Sequence, residues 1–280
     1  MSFKIVGDSC LDWNRELLDT GKVSFVPLTL EVGEISVIDD MTFDQTAFLK
    51  LVRESSDVAH SACPSPSAYK EAYEGEEERV YCITLSQHLS GSYNSACVGK
   101  DMYYEEYEES SKKIAVFSSD SACCGESIVA KKILELEAQE LSFEEICEKV
   151  SDYIYHMTTM FVIEDLEPLK KNGRLTGLAA VLATALNIKP IMGADHGVII
   201  KLDQARGINK ALKKMIEKAA EVVEDPENRI LGISHCNCRE RAEFVREEIL
   251  KKIPFKEVYL ADTAGVGTLY AGDGGIVISF

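Results

Sequence analysis

"RVYCITLSQHLSGSYNSACVGK", residues 79–100, starts as an apolar strand, passes through a loop crowded with serines and continues with the pattern of a helix. The same order recurs in "FKIVGDSCLDWNRELL" at 3–18 and in "KIAVFSSDSACCGESIVAKKILELEA" at 113–138. Three strand-loop-helix units in the first half of a chain predict a parallel sheet covered by helices. In open sheets of this kind ligands bind beyond the carboxyl ends of the strands, where these loops fall.

The start of a helix presents unpaired amides and a partial positive charge. Ser90, Gly91 and Ser92 at such a place suit one small anion, a phosphate or a carboxylate. Neither Gly-x-Gly-x-x-Gly nor Gly-x-x-x-x-Gly-Lys-Ser/Thr occurs, so a dinucleotide or nucleoside triphosphate lacks its usual cradle. "LSGSYNS" is not the Gly-x-Ser-x-Gly elbow of a serine hydrolase, and His88 beside it reads as a loop histidine with no orienting carboxylate marked. Asp8-Ser9 and Asp120-Ser121 end two of the strands, where capping of the next helix accounts for them better than paired-carboxylate catalysis does.

The second half changes pattern. "LSFEEICEKVSDYIYHMT" at 141–158 predicts a helix opened by a Ser142/Glu145 capping box. "IKPIM" faces "VIIKL" across the turn "GADHG", which predicts an antiparallel pair and a mixed sheet. Helices follow from 206 and 237, one-faced by their spacing, with a strand between them at 229–234 and two strands at the end. "LTGLAAVLATAL" at 175–186 is apolar on every side and too short to span a bilayer, so it is expected either as a core helix or as the wall of an apolar pocket. "KKNGRL" at 170–175 is the one compact basic group, either a solvated turn or an anion or partner contact through Arg174.

The chain has 280 residues with a net charge of −17, spread along its length, which argues against nucleic acid and anionic membrane surfaces as partners. It opens as a strand without a leader, and no apolar run is long enough to cross a membrane, so a cytoplasmic location is expected. Nine cysteines without a disulfide rhythm read as thiols. "SHCNC" at 234–238 and the Cys123-Cys124 pair are read as packing rather than metal ligands, and no metal site is expected.

Several of these pieces stand in a distinctive order: "VGDSCLD" at 6–12, "SACPSPS" at 61–67, "LSGSYNSA" at 89–96, "DS" at 120–121, "FVIEDLEPLKKNGRL", "LNIKPIM", and Arg206 after "KLDQA". In that order the chain resembles the DegV family of bacterial fatty-acid-binding proteins along nearly its whole length. The resemblance implies two α/β domains, a parallel-sheet α/β/α domain at 1–157 and a mixed-sheet domain at 158–280, with one long-chain fatty acid (palmitate, stearate or oleate, for example) in a tunnel between them. It makes the apolar segment 175–186 a tunnel wall and maps the carboxylate contacts to Ser61 and Ser90. Asp8, Ser9, Gly91, Ser92, Ser121 and Tyr270 join them as expected ligand neighbours, and Arg174 and Arg206 as partner or anion contacts.

The resemblance also implies a carrier without catalytic machinery or cofactor, which presents its acyl chain to a separate fatty acid kinase. Two departures stand out. Ser61 replaces the usual threonine, and "YAGDGG" replaces a His-x-Gly-Pro-Gly stretch, so Tyr270 stands for the histidine and Asp273 for the proline. The rival reading is an enzyme, a phosphotransferase on a small substrate or an acyl hydrolase using a loop serine. A partner-binding protein with a vestigial pocket is a further alternative.

Overall fold

In the computed structural model, which describes residues 2–12, 14–175 and 187–280, the first half supplies seven strands. They are β1 (Phe3–Asp8), β2 (Val23–Val26), β3 (Thr29–Val32), β4 (Ile35–Ile38), β5 (His60–Ala62), β6 (Arg79–Thr84) and β7 (Lys113–Ser118). The second half supplies β8 (Thr159–Val162), β9 (Ile188–Asp195), β10 (Val198–Arg206), β11 (Ile230–His235), β12 (Glu257–Asp262) and β13 (Ile276–Ser279). The helices are α1 (Arg15–Leu18), α2 (Gln45–Glu54), α3 (Pro66–Tyr73), α4 (Ser92–Glu106), α5 (Cys124–Glu137) and α6 (Phe143–Tyr155), then α7 (Glu167–Lys171), α8 (Ile208–Val222), α9 (Arg239–Leu250) and α10 (Gly265–Ala271).

The three sequence units pair as expected. Their strands β1, β6 and β7 join β2, which the sequence reading did not name, in one parallel sheet of order β2-β1-β6-β7, with Ile5 beside both Val23 and Tyr81. β6 is buried at every residue, as a central parallel strand must be. The second half forms a six-stranded mixed sheet in the order β10-β9-β8-β13-β11-β12, where β11 and β12 run parallel and the other pairs antiparallel. The β9–β10 hairpin turns through His196 and Gly197, both at positive φ (44° and 81°), as a tight two-residue turn requires.

The capping box of α6 is present as read, with Ser142 and Glu145 satisfying each other's backbone amides. α8 buries Ala211, Leu212, Met215, Ile216 and Ala219, and α9 buries Ala242, Val245 and Ile249, the one-faced patterns the spacing predicts. α5 differs. It lies between the two larger sheets, and one core joins its Ile128, Val129 and Ile133 to Ile5 and Tyr81 on one side and to Ile230, Tyr259 and Ala261 on the other. Each fully buried isoleucine there contributes about 1.5–3 kcal/mol, so the two halves share the energy that holds them.

Three features depart from the sequence reading. β4, β3 and β5 make a small antiparallel sheet that no periodicity announced. α10 stands between the two final strands. The Asp-Ser strand ends are not helix caps: Asn14 caps α1, and α5 begins after Cys123 without a side-chain cap. Asp8 instead accepts from the amides of Cys10 (3.0 Å) and Leu85 (3.0 Å), tying the end of β1 to the loop after β6. Of the apolar segment 175–186 only Leu175, which is buried, belongs to the described residues.

Candidate functional site

A cavity lies where the loops after β1, β6 and β7 meet the face of β8. Counting its open mouth, about 820 Å³ there is free of atoms. Strand alternation puts Thr159, Phe161 and Ile163 on the same side of β8 and its extension, and all three line the space. At about 3.3 Å per residue they mark a run of roughly 13 Å. Leu28, Leu89, Leu169, Ile199, Val266 and Val277 supply most of the remaining apolar wall.

The two ends differ in chemistry. At one end Ile163 and Leu169 belong to one buried cluster, and Tyr270 packs against that cluster. There the Tyr270 hydroxyl meets the Ser61 hydroxyl at 2.9 Å. The Arg174 guanidinium lies 5.7 Å from the centre of the Tyr270 ring and donates to the Leu89 carbonyl at 3.1 Å. Arg174 is the one lysine or arginine among the described lining residues. At the Thr159 end stand Ser121, whose hydroxyl meets that of Thr159 at 2.7 Å, and Asp120, which accepts from Ser118 at 2.9 Å.

Local structure explains these positions. Ser61 sits on β5 because β3 pairs it antiparallel, Leu30 opposite Ser61. The "KKNGRL" turn is anchored rather than free: Asn172 donates to the Ala59 carbonyl at 3.0 Å and meets His60 at 2.7 Å, which aims Arg174 at the cavity. Ser90 lines the cavity while its hydroxyl oxygen accepts from the Ser92 amide at 3.2 Å, so the first amide of α4 is already partnered. That corrects the picture of a bare helix end.

Ser61, Ser90, Ser121, Tyr270 and Arg174 are therefore brought to one cavity. Asp8, Ser9, Gly91 and Ser92 were expected beside the ligand and instead stand outside its lining. Ser92 is fully buried, donates to Asp8 at 2.6 Å and meets the Tyr69 hydroxyl at 2.5 Å. Ser9 is buried and accepts from the Leu28 amide at 2.9 Å. Gly91 is exposed, and a Cβ there would lie 3.2 Å from the Cys63 sulfur. Arg206 is exposed at the end of β10, away from the lining. Asp273, exposed, accepts from Asn237 at 3.0 Å and does not line the cavity either.

The sequence reading missed Asp12, Asp39 and Glu126, which stand buried with Asp8 behind the wall. Burial raises Asp12 to about 7 and Asp39 to about 6, and it also raises Asp8. Burial, followed by the neighbouring Asp8, pushes Glu126 well above the ordinary range. Phe161 and Ile163 could have been found from the alternation in "TMFVI"; nothing around "IDDM" marks Asp39.

Comparison with known proteins adds a second line of observation. The model of the DegV family, described as uncharacterised proteins, matches residues 2–280. A DegV domain-containing protein of Streptococcus pneumoniae is 30% identical over 287 residues, covering 100% of this chain and 99% of the relative. Among solved structures, a DegV family protein of Ruminococcus gnavus with vaccenic acid is 43% identical, with a TM-score of 0.97 and 100% of both chains covered. The Fatty Acid Kinase (Fak) B3 protein of Streptococcus pneumoniae, loaded with linoleic acid, is 28% identical, with a TM-score of 0.89 over 100% of this chain and 99% of that one.

Proposed function

The chain belongs to the DegV family, and from that premise we propose that it binds one long-chain fatty acid in the cavity between residues 1–157 and 158–280. The acyl carboxylate lies at the Ser61–Tyr270 end and is presented there to a separate fatty acid kinase. The protein acts as a carrier in the cytoplasm and not as a catalyst. The observation that carries this reading is an apolar space whose two ends are chemically unlike, a guanidinium with hydroxyls at one and an aspartate at the other.

The energetics favour it. A chain of about 14 methylenes supplies a gross driving force on the order of 10 kcal/mol, from which the entropy of association is subtracted. A buried carboxylate without donors would cancel much of that. The Ser61 and Tyr270 hydroxyls now share one hydrogen bond, in which either atom can donate. One proton is therefore free for a ligand, and the second follows if the pair opens. Tyrosine brings no positive charge, and the Arg174 guanidinium beside its ring takes that role. Asp120 at the far end repels a carboxylate and so sets the direction of the ligand. Ser121 and Thr159 line the tail end, and Arg206, exposed on β10, is available to a partner.

The enzyme reading is not favoured. The hydroxyl of Ser61 meets Tyr270 and that of Ser90 meets an amide, so neither contact is with a histidine. Mass spectrometry of ligand released from purified protein tests the proposal. One long-chain fatty acid per chain is expected. Protein that carries no lipid, takes none up after reloading and hydrolyses an acyl ester by itself would contradict it.

A further inference from the structure

We infer that Asp12 and Asp39 are positioning residues for Tyr270, fixing from the first half of the chain the short helix that carries it in the second. The inference rests on the reading of Tyr270 as a donor to the carboxylate, given above. α10 has only seven residues, too few to hold its own geometry. Its entry is fixed by three amides in a row: Ala264 donates to Asp12 at 2.9 Å, and Gly265 and Val266 donate to the two oxygens of Asp39 at 2.7 and 2.9 Å. A Cβ at Gly265 would lie 2.6 Å from an Asp39 oxygen, so glycine is what lets the backbone come this close.

The other end of α10 meets the same small sheet. Thr29 on β3 is opposite both Ile38 on β4 and Ala62 on β5. Asp39 directly follows Ile38, and Ser61 directly precedes Ala62. One sheet thus holds the start of α10 through Asp39 and its end through the Ser61–Tyr270 contact, roughly 7.5 Å apart along the helix. Gln45 on α2 adds a third hold, donating to the Thr263 carbonyl at 3.1 Å and the Thr268 hydroxyl at 3.2 Å.

Both aspartates are fully buried, a costly way to satisfy amides that a partly exposed serine or asparagine could cap. A carboxylate gripping two successive amides adds direction, because its two oxygens fix the tilt of the helix as well as its position. Val266, Gly267, Tyr270 and Ala271 all line the cavity, so the tilt of α10 sets where the tyrosine hydroxyl stands.

A double-mutant cycle on the delipidated full chain tests this, using Asp39→Asn, Tyr270→Phe and both together, with palmitate and its uncharged methyl ester as ligands. Tyr270→Phe is expected to weaken palmitate about tenfold and Asp39→Asn about fivefold, with the double variant no weaker than Tyr270→Phe alone. The ester, a weaker acceptor, should change less than about twofold throughout. Losses that multiply, or equal losses for acid and ester, would make Asp39 a general scaffold residue and overturn the inference. A Tyr270→Phe variant that binds palmitate like the parent would instead remove the premise about Tyr270. If Asp39→Asn does not fold, Asp12→Asn, which perturbs the acceptor of the Ala264 amide, takes its place in the cycle under the same criteria.

Discussion

Two sets of polar groups flank the same cavity and are built in opposite ways. Ser61, Ser90, Tyr270 and Arg174 are half-buried, reach its wall, and are mostly hydroxyls that accept or donate at small cost. Asp8, Asp12, Asp39 and Glu126 are fully buried carboxyls, and none of them reaches it. The bonds of Asp8, Asp12 and Asp39 run to the backbone of neighbouring segments, Cys10 and Leu85, Ala264, Gly265 and Val266, and in the case of Asp8 also to the buried Ser92 hydroxyl. The first set can exchange partners when a ligand arrives, whereas the second cannot without releasing the chain. Between these two sets, burial goes with the choice between gripping and framing.

The sharpest way to break that contrast is to remove one member of the frame. Asp8→Ala leaves two buried amides and the Ser92 hydroxyl without their acceptor and should cost about 3–5 kcal/mol in urea denaturation. A loss under about 1 kcal/mol would show that Asp8 is not structural.

Acidity separates the two sets next. Asp12, at about 7, and Asp39, at about 6, bind protons more tightly folded than unfolded, where an aspartate titrates near 3.9. The native state holds more protons between about pH 4 and 7, so stability falls as pH rises through that window, by a few kcal/mol in all. The net charge of −17 at neutral pH acts in the same direction. Asp203, lowered to about 2 chiefly by its bond with Lys214, works the other way only below about pH 4. The urea midpoint should be higher at pH 5 than at pH 8, and Asp39→Asn should flatten the profile; a midpoint that climbs from pH 5 to 8 would refute this.

A smaller effect is expected from the gripping set. Ser61→Ala removes one hydroxyl from a half-buried pair and should weaken fatty acid binding about three- to tenfold, with stability changed by less than about 1 kcal/mol. It is a cleaner probe than Ser90→Ala, because the Ser90 oxygen also caps the first amide of α4. Loss of stability without loss of affinity would move Ser61 from the grip to the frame.

The contrast also explains what could be read without the structure. The parallel sheet, the β9–β10 hairpin and the cap of α6 follow from periodicity and turn chemistry, which are local. Ser90 and Arg174 stood out locally, as a hydroxyl at a helix start and as part of a compact basic group, whereas Ser61 and Tyr270 came only from a motif order; all four line the cavity. Ser92 carried the same local signal as Ser90, and Asp8 stood at a strand end beside the same loops, yet both lie behind the wall. The difference is burial, set by Tyr69 on α3 and by the loop after β6. Asp39 and α10 escaped notice because their bond spans more than 200 residues of sequence.

The most direct test is the structure of the protein loaded with palmitate. The account predicts the carboxylate within hydrogen-bonding distance of the Ser61 and Tyr270 hydroxyls, with the tail running past Phe161 toward Thr159. A carboxylate found at the Asp120 end, or a ligand lying outside this cavity, would contradict it.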